Sequence, residues 1–256
     1  MKKNLISTLA TTLLAITFIF MSCKKEKDDE TTPVPTNTEQ KLSFHLHNMV
    51  GSGVASYGAT FQDSSGRKFN ISDFRYYISN VVLIKNDGSE YPLTGKVLLA
   101  DPATQDYDLA NVPVGTYNGF KFMMGLDSSI NYSDPTVYPI TNPLSIQTPS
   151  IHWSWSIGYI FMKLEGQVDT TLMANGPVDY SYFYHIALDD MKRTIDFSNE
   201  AFTISSGSDK EIALKFDLLK AFSGVDLRTE NQTNSSSNRG LASRIADNWQ
   251  AAFSVE

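Results

Sequence analysis

Four histidines stand in the 256-residue chain, at positions 45, 47, 152 and 185, all in stretches that read as strands. His45 and His47 lie two residues apart in LSFHLHNMV, where Leu42, Phe44 and Leu46 alternate with Ser43, His45, His47 and Met49. Alternate side chains of a strand share a face, so the two imidazoles project together and can reach one metal ion. Imidazole suits copper, zinc, iron and nickel, and a thioether from Met49 on that face would favour Cu(I). His185, in YSYFYHIAL, and Trp153 and Trp155, in IHWSWSIGYIFMKLEG, complete such a site only if the fold brings them to it. The competing role for each strand histidine taken singly is that of a half-buried, hydrogen-bonded side chain.

The stretch Ile151–Gly166 is the most aromatic in the chain. Read as one extended strand, it sets Trp153 and Trp155 on one face, followed by Ile157, Tyr159 and Phe161. His152, Ser154 and Ser156 take the other face, which turns apolar at Ile160, Met162 and Leu164. The change of character falls at Gly158, and a strand glycine marks a bulge or bend. Lys163 and Glu165 share a strand face and are expected to form an ion pair. Glu165 with Asp189 or Asp190 is the pairing a glycosidase would need, but the structural ion pair is the better account of Glu165. H-E-x-x-H, G-x-S-x-G and S-x-x-K with its partners are missing. Gly51-Ser-Gly53 does not open a helix as a dinucleotide fingerprint does. The residues favour a binding protein over an enzyme.

The elements that must position these groups are mostly strands. Phe74–Lys85 has the β-branched and aromatic content of a long strand and runs into an Asn86-Asp87-Gly88 turn. Tyr91–Ala100, Tyr107–Leu109, Thr116–Met124, Tyr180–Leu188, Phe202–Ile204 and Ile212–Phe216 continue the pattern. Residues 127–150 hold four prolines among Ser, Thr and Asn, a long loop of the kind that often carries function. Asp217 is placed to cap a short helical piece. Leu241, Ile245 and Trp249 fall at i, i+4 and i+8, which predicts one amphipathic C-terminal helix over Leu241–Phe253. Short strands with frequent turns and one terminal helix predict an all-β fold. The form expected is an antiparallel β-sandwich of Ig-like or Greek-key type with long loops.

The N-terminus reads as an export signal. Residues 1–22 carry a basic start, an apolar core and Ser22 before the chain's one cysteine, Cys23. A single cysteine excludes an internal disulfide framework. Its position resembles a lipobox, which implies lipidation of Cys23 and an outer-membrane lipoprotein facing the periplasm or the cell surface. Residues 23–40, with a KKEKDDE run and two prolines, read as a tether, and 41–256 as the folded domain. From Cys23 onward there are 19 basic and 28 acidic residues, a formal charge of −9. That balance argues against nucleic acid, which needs clustered positive charge.

The string W-S-W-S-I-G-Y-I-F-M-K-L-E-G resembles the hallmark of the MbnP-like family, the methanobactin-associated copper-binding proteins and their Bacteroidetes relatives. FRYYISNVVLIKNDG, VPVGTYNGFKFMMGLD, YFYHI and LASRIADNWQAAF are similar to further family segments in the same order. The resemblance implies one bound copper ion, held by histidines and by a tryptophan oxidised to kynurenine. It also implies a partner, a diheme cytochrome peroxidase of the MbnH type, which performs that oxidation. Carried onto this sequence, the site residues are His185 and Trp153 or Trp155, with His45 and His47 on a first strand that can carry histidine. Two positions depart from the pattern: His152 stands where relatives often have methionine, and the chain ends at Ser-Val-Glu without a histidine-bearing tail. The competing expectation is a surface β-sandwich module that binds a glycan or a protein without metal.

Overall fold

The computed structural model describes residues 38–154 and 157–256. The first strands are β1 (Glu39–Val50), β2 (Gly53–Val54), β3 (Thr60–Gln62), β4 (Lys68–Asn70) and β5 (Asp73–Lys85). Then come β6 (Glu90–Pro92), β7 (Val97–Ala100), β8 (Asp106–Pro113), β9 (Gly115–Met124) and a short helix α1 (Ser128–Asn131). β10 (His152–Ser154), β11 (Gly158–Val168), β12 (Tyr180–Ala187), β13 (Arg193–Phe197), β14 (Phe202–Ile204) and β15 (Lys210–Asp217) follow. The chain closes with α2 (Leu218–Ala221), β16 (Gln232–Thr233), α3 (Arg239–Asp247), α4 (Trp249–Ala252) and β17 (Phe253–Val255). Among the described residues no helix is long and apolar enough to cross a membrane.

The strands form two open sheets. One has five strands, in the order β17-β15-β1-β2 with β8 also on β1. The other has twelve, with β13-β9-β5-β11-β12-β16 as its main path. Their apolar faces meet in an aromatic layer. Phe44 of β1 lies against Phe120 and Phe122 of β9, and Phe216 of β15 stacks on Phe74 and Tyr76 of β5. All six rings are buried, and each such ring removes a large apolar area from water.

Three sequence expectations need correction. Pairing is not purely antiparallel, because β1 runs parallel to β15 and β12 parallel to β16. β1 and β15 are far apart in the chain, so no hairpin turn fixes their direction. Second, Ile151–Gly166 is not one strand but a hairpin, with His152 of β10 opposite Tyr159 of β11. Gly158, the first residue of β11 and in register with Ser154, has φ +83°. Asn131 packs against Gly158, and its Oδ1 accepts from the Tyr159 N–H at 2.8 Å. Third, the C-terminal helix is two pieces, α3 and α4, followed by a strand. Leu241, Ile245 and Trp249 are nevertheless all buried, as their spacing requires. The Asp217 cap forms, accepting from the Leu219 N–H at 3.0 Å.

Candidate functional site

The outer face of the five-stranded sheet follows from the alternation along β1. Leu42, Phe44 and Leu46 point into the core, so Ser43, His45 and His47 point out. Neighbouring strands add their own outward residues. Asp106 of β8 is in register with His45, as is Ala213 of β15 on the other side. Beyond β15, the N–H of Glu256 donates to the Ala213 carbonyl at 3.0 Å and sets Glu256 at the end of β17.

On this face the imidazoles meet. His45 Nε2 and His47 Nε2 are 2.9 Å apart, with the rings edge to face. Each Nδ1 faces a carboxylate, that of His45 at 2.5 Å from Asp106 Oδ1 and that of His47 on Glu256 Oε2. A proton count decides what this cluster accepts. The three contacts need three bridging positive centres, whereas two neutral imidazoles carry one ring proton each. With both ring protons on Nδ1, donated to carboxylates, the two Nε2 lone pairs face one another. An added proton or a metal ion must lie between them. Two imidazole nitrogens bound at about 2.0–2.1 Å and at roughly a right angle to one ion sit ~2.9 Å apart. The pair therefore fits a metal ion, with the carboxylate–histidine backing typical of such sites.

A second grouping shares His45. Donor atoms of His45, Asp106 and Glu211 all lie within 4.8 Å of one another. Asp106 is already engaged with a ring nitrogen and both carboxylates are exposed, so this set is the weaker cradle.

The outer face of the larger sheet carries a different constellation. Arg75 of β5, Lys163 of β11 and His185 of β12 form one cross-strand row, and Asp73, Glu165 and Phe183 the next. Arg75 grips Asp73 with two bonds, at 2.7 and 2.5 Å. Lys163 bridges Asp73 at 2.9 Å and Glu165 at 3.2 Å, and Glu165 meets His185 Nε2 at 2.7 Å. Asp73, Arg75 and Lys163 are only 6, 8 and 5 % exposed, so each charge depends on its partners. Burial pulls the Asp73 carboxyl up, but the bonds from Arg75 and Lys163 outweigh it and hold it below the usual range. Burial is the larger influence on His185 and lowers its pKa against the opposing pull of Glu165. Trp153 leans on His185 with ring centroids 5.7 Å apart. Together with Phe183, Ser181, Asn234 and Ser72 they line a cleft of about 450 Å³.

The structure thus joins His45 to His47 and Trp153 to His185, on the outward faces of different sheets with the aromatic core between them. Among the described residues no hydrogen bond or ring contact links the two pairs. His152 packs on Tyr159, and its Nε2 is buried without a hydrogen-bond partner among the described residues. Asp189 bonds Ser128 and Asn131, and Asp190 pairs with Arg239, so neither joins Glu165 as a carboxylate pair. Trp155 and Cys23 lie outside the described residues. Sequence reading missed Asp106, Glu211 and Glu256. The signal available for them was weak: only the pairing of β8, β15 and β17 about β1 brings these acids to the histidines.

The MbnP family model matches residues 39–238. The chain belongs to the MbnP family. The solved structure of MbnP from Methylosinus trichosporium is similar at 15 % identity, with a TM-score of 0.52 over 77 % of this chain and 83 % of that one. That likeness is one of fold. No curated protein matches the chain. The family match spans β1 to β16 and stops before α3, so His45, His47, Asp106 and Glu211 lie within it and Glu256 lies beyond it.

Proposed function

We propose that this MbnP-family chain is a cell-envelope copper-binding protein that captures or carries one ion between His45 and His47. The observation that carries the reading is the 2.9 Å approach of two imidazole nitrogens whose other nitrogens are held by carboxylates. Copper accepts imidazole readily, and the family name supports copper over other imidazole-loving metals. The protein acts by holding the ion, not by catalysis. In this reading residues 1–22 direct export, Cys23 carries the lipid, the stretch from there to the start of β1 at Glu39 is a tether, and the outer membrane is the site of action. Oxidation of Trp153 to kynurenine by a diheme peroxidase partner would set the new amine and carbonyl beside His185, apart from His45 and His47.

The test is metal content and intact mass of protein purified from its own host, with copper titration of the unmodified protein and of His45→Gln and His47→Gln. One equivalent of copper bound by the parent and lost in both variants is expected. Undiminished binding in both variants would sink the reading. A second reading, a glycan-binding surface module, draws on the aromatic and hydrogen-bonding lining of the Trp153 cleft. Titration with neutral oligosaccharides, followed by tryptophan fluorescence and repeated with Trp153→Ala, tests it; the absence of any response removes it.

A further inference from the structure

Glu256 reaches His47 across an intervening strand. β1 and β17 both pair with β15, so the two residues are two strand spacings apart across the sheet, roughly 9–10 Å, and Glu256 lies two residues past Ser254, the β17 residue level with His47. On β15, His47 is in register with Lys215, whereas Ala213, in register with His45, takes the Glu256 N–H on its carbonyl, so Glu256 reaches His47 diagonally between the Ala213 and Lys215 positions. The methyl group of Ala213 leaves open the space through which the glutamate extends. A branched or long side chain would fill it.

The two carboxylates do more than occupy space. An Nδ1–H donated to a carboxylate fixes the tautomer, turns the ring, and makes Nε2 a stronger donor to metal. Both imidazoles are treated alike, from opposite sides of the pair. The charges also discriminate between ions, because a nearby carboxylate attracts a dication twice as strongly as a monocation at the same distance. Glu211 adds a third anionic group near His45. The soft Met49 thioether lies further along the face, in register with Val54 and Asp217.

We propose that Asp106 and Glu256 are positioning residues that lock His45 and His47 as Nδ1–H tautomers and bias the pair toward a divalent ion, with Ala213 as the gap that admits Glu256. The proposal rests on the His45/His47 metal reading. Its test is the affinity of full-length protein for Cu(II) and for Cu(I), each measured against a competing chelator, with the Cu(II)/Cu(I) midpoint potential. The variants are Asp106→Asn, Glu256→Gln and Ala213→Leu, each checked for fold by circular dichroism.

The amides keep an acceptor oxygen and lose the charge. Each is expected to weaken Cu(II) binding about 10–100-fold, to affect Cu(I) less, and to raise the potential by about 59 mV per tenfold change in relative affinity. Ala213→Leu is expected to reproduce Glu256→Gln; if it fails to fold, the two amide variants decide the matter alone. Unchanged Cu(II)-over-Cu(I) preference in both amides overturns the proposal while leaving the metal site standing. Loss of binding in Glu211→Gln with retention in His47→Gln also overturns it, by moving the ion onto His45, Asp106 and Glu211. A parent protein that binds neither copper ion overturns the underlying metal reading instead.

Discussion

Gly158→Ala is the substitution whose cost the structure defines most closely. Gly158 has φ +83°, and a Cβ there would lie 2.4 Å from Asn131 Oδ1 and 2.6 Å from the Asn131 carbonyl oxygen. The left-handed conformation costs a non-glycine residue roughly 1–2 kcal/mol. Relieving the clash moves Asn131, which is fully buried and accepts from the Tyr159 N–H. Leaving that donor unpaired adds about 1–3 kcal/mol. The expected loss is therefore ~2–5 kcal/mol, read as a shift of the urea midpoint at unchanged slope. Gly66→Ala is the control, since its φ is +82° with nothing within 4 Å of the added methyl; it carries only the conformational cost. In an Asn131→Ala background the side-chain clash disappears but the carbonyl oxygen of residue 131 remains 2.6 Å from the added methyl, so the cost of Gly158→Ala falls yet stays above that of the control. A Gly158→Ala protein no less stable than the Gly66→Ala protein would refute this account of the hairpin that holds Trp153.

Other consequences follow from the buried charges. Lys163→Ala leaves Asp73 with Arg75 alone inside a nearly closed face, and a loss of about 1.5–3 kcal/mol is expected by urea denaturation; a shift within about 0.5 kcal/mol counts against the chain of paired charges. His185 has a pKa lowered by burial, so on acidification the unfolded chain takes up its proton first, near 6.5. The unfolded state then binds more protons, and stability falls as pH drops through and below that value. Melting temperatures across pH 7.5–5.5 check this, with a shallower slope expected in His185→Gln. Trp153→Ala removes the ring against His185 and one wall of the cleft at little cost to the core, since Trp153 is only partly buried. Its melting temperature is expected to stay close to that of the parent.

What the sequence revealed depended on how local each signal was. Alternation in LSFHLHNMV gave both the core face of β1 and the outward pairing of His45 with His47, because both lie within a few residues. Lys163 and Glu165 were legible as a pair for the same reason. The partners Asp73 and Arg75 were not, since they arrive through the register of β5 on β11. Gly158 was recognisable as a break, but a glycine bend and a full reversal share one local signature. Asn131, which packs on Gly158 from 27 residues earlier in the chain, gave no local signal. The parallel β1–β15 pairing had no turn to announce it, and with it went Ala213, Glu211 and Glu256.

That pairing also ties the metal candidate to the core. The outward direction of His45 and His47 is fixed only because Phe44 and Leu46 are held inward, with Phe44 against Phe120 and Phe122. A one-residue slip of β1 would exchange the faces, burying two imidazoles and exposing the apolar set. The same slip would take His45 out of register with Asp106 and Ala213, so the carboxylates and the nitrogens would part together. The aromatic layer thus acts as the register lock of the site. Truncating Phe44 should loosen metal binding and fold stability in parallel, whereas truncating Glu256 should touch only the first.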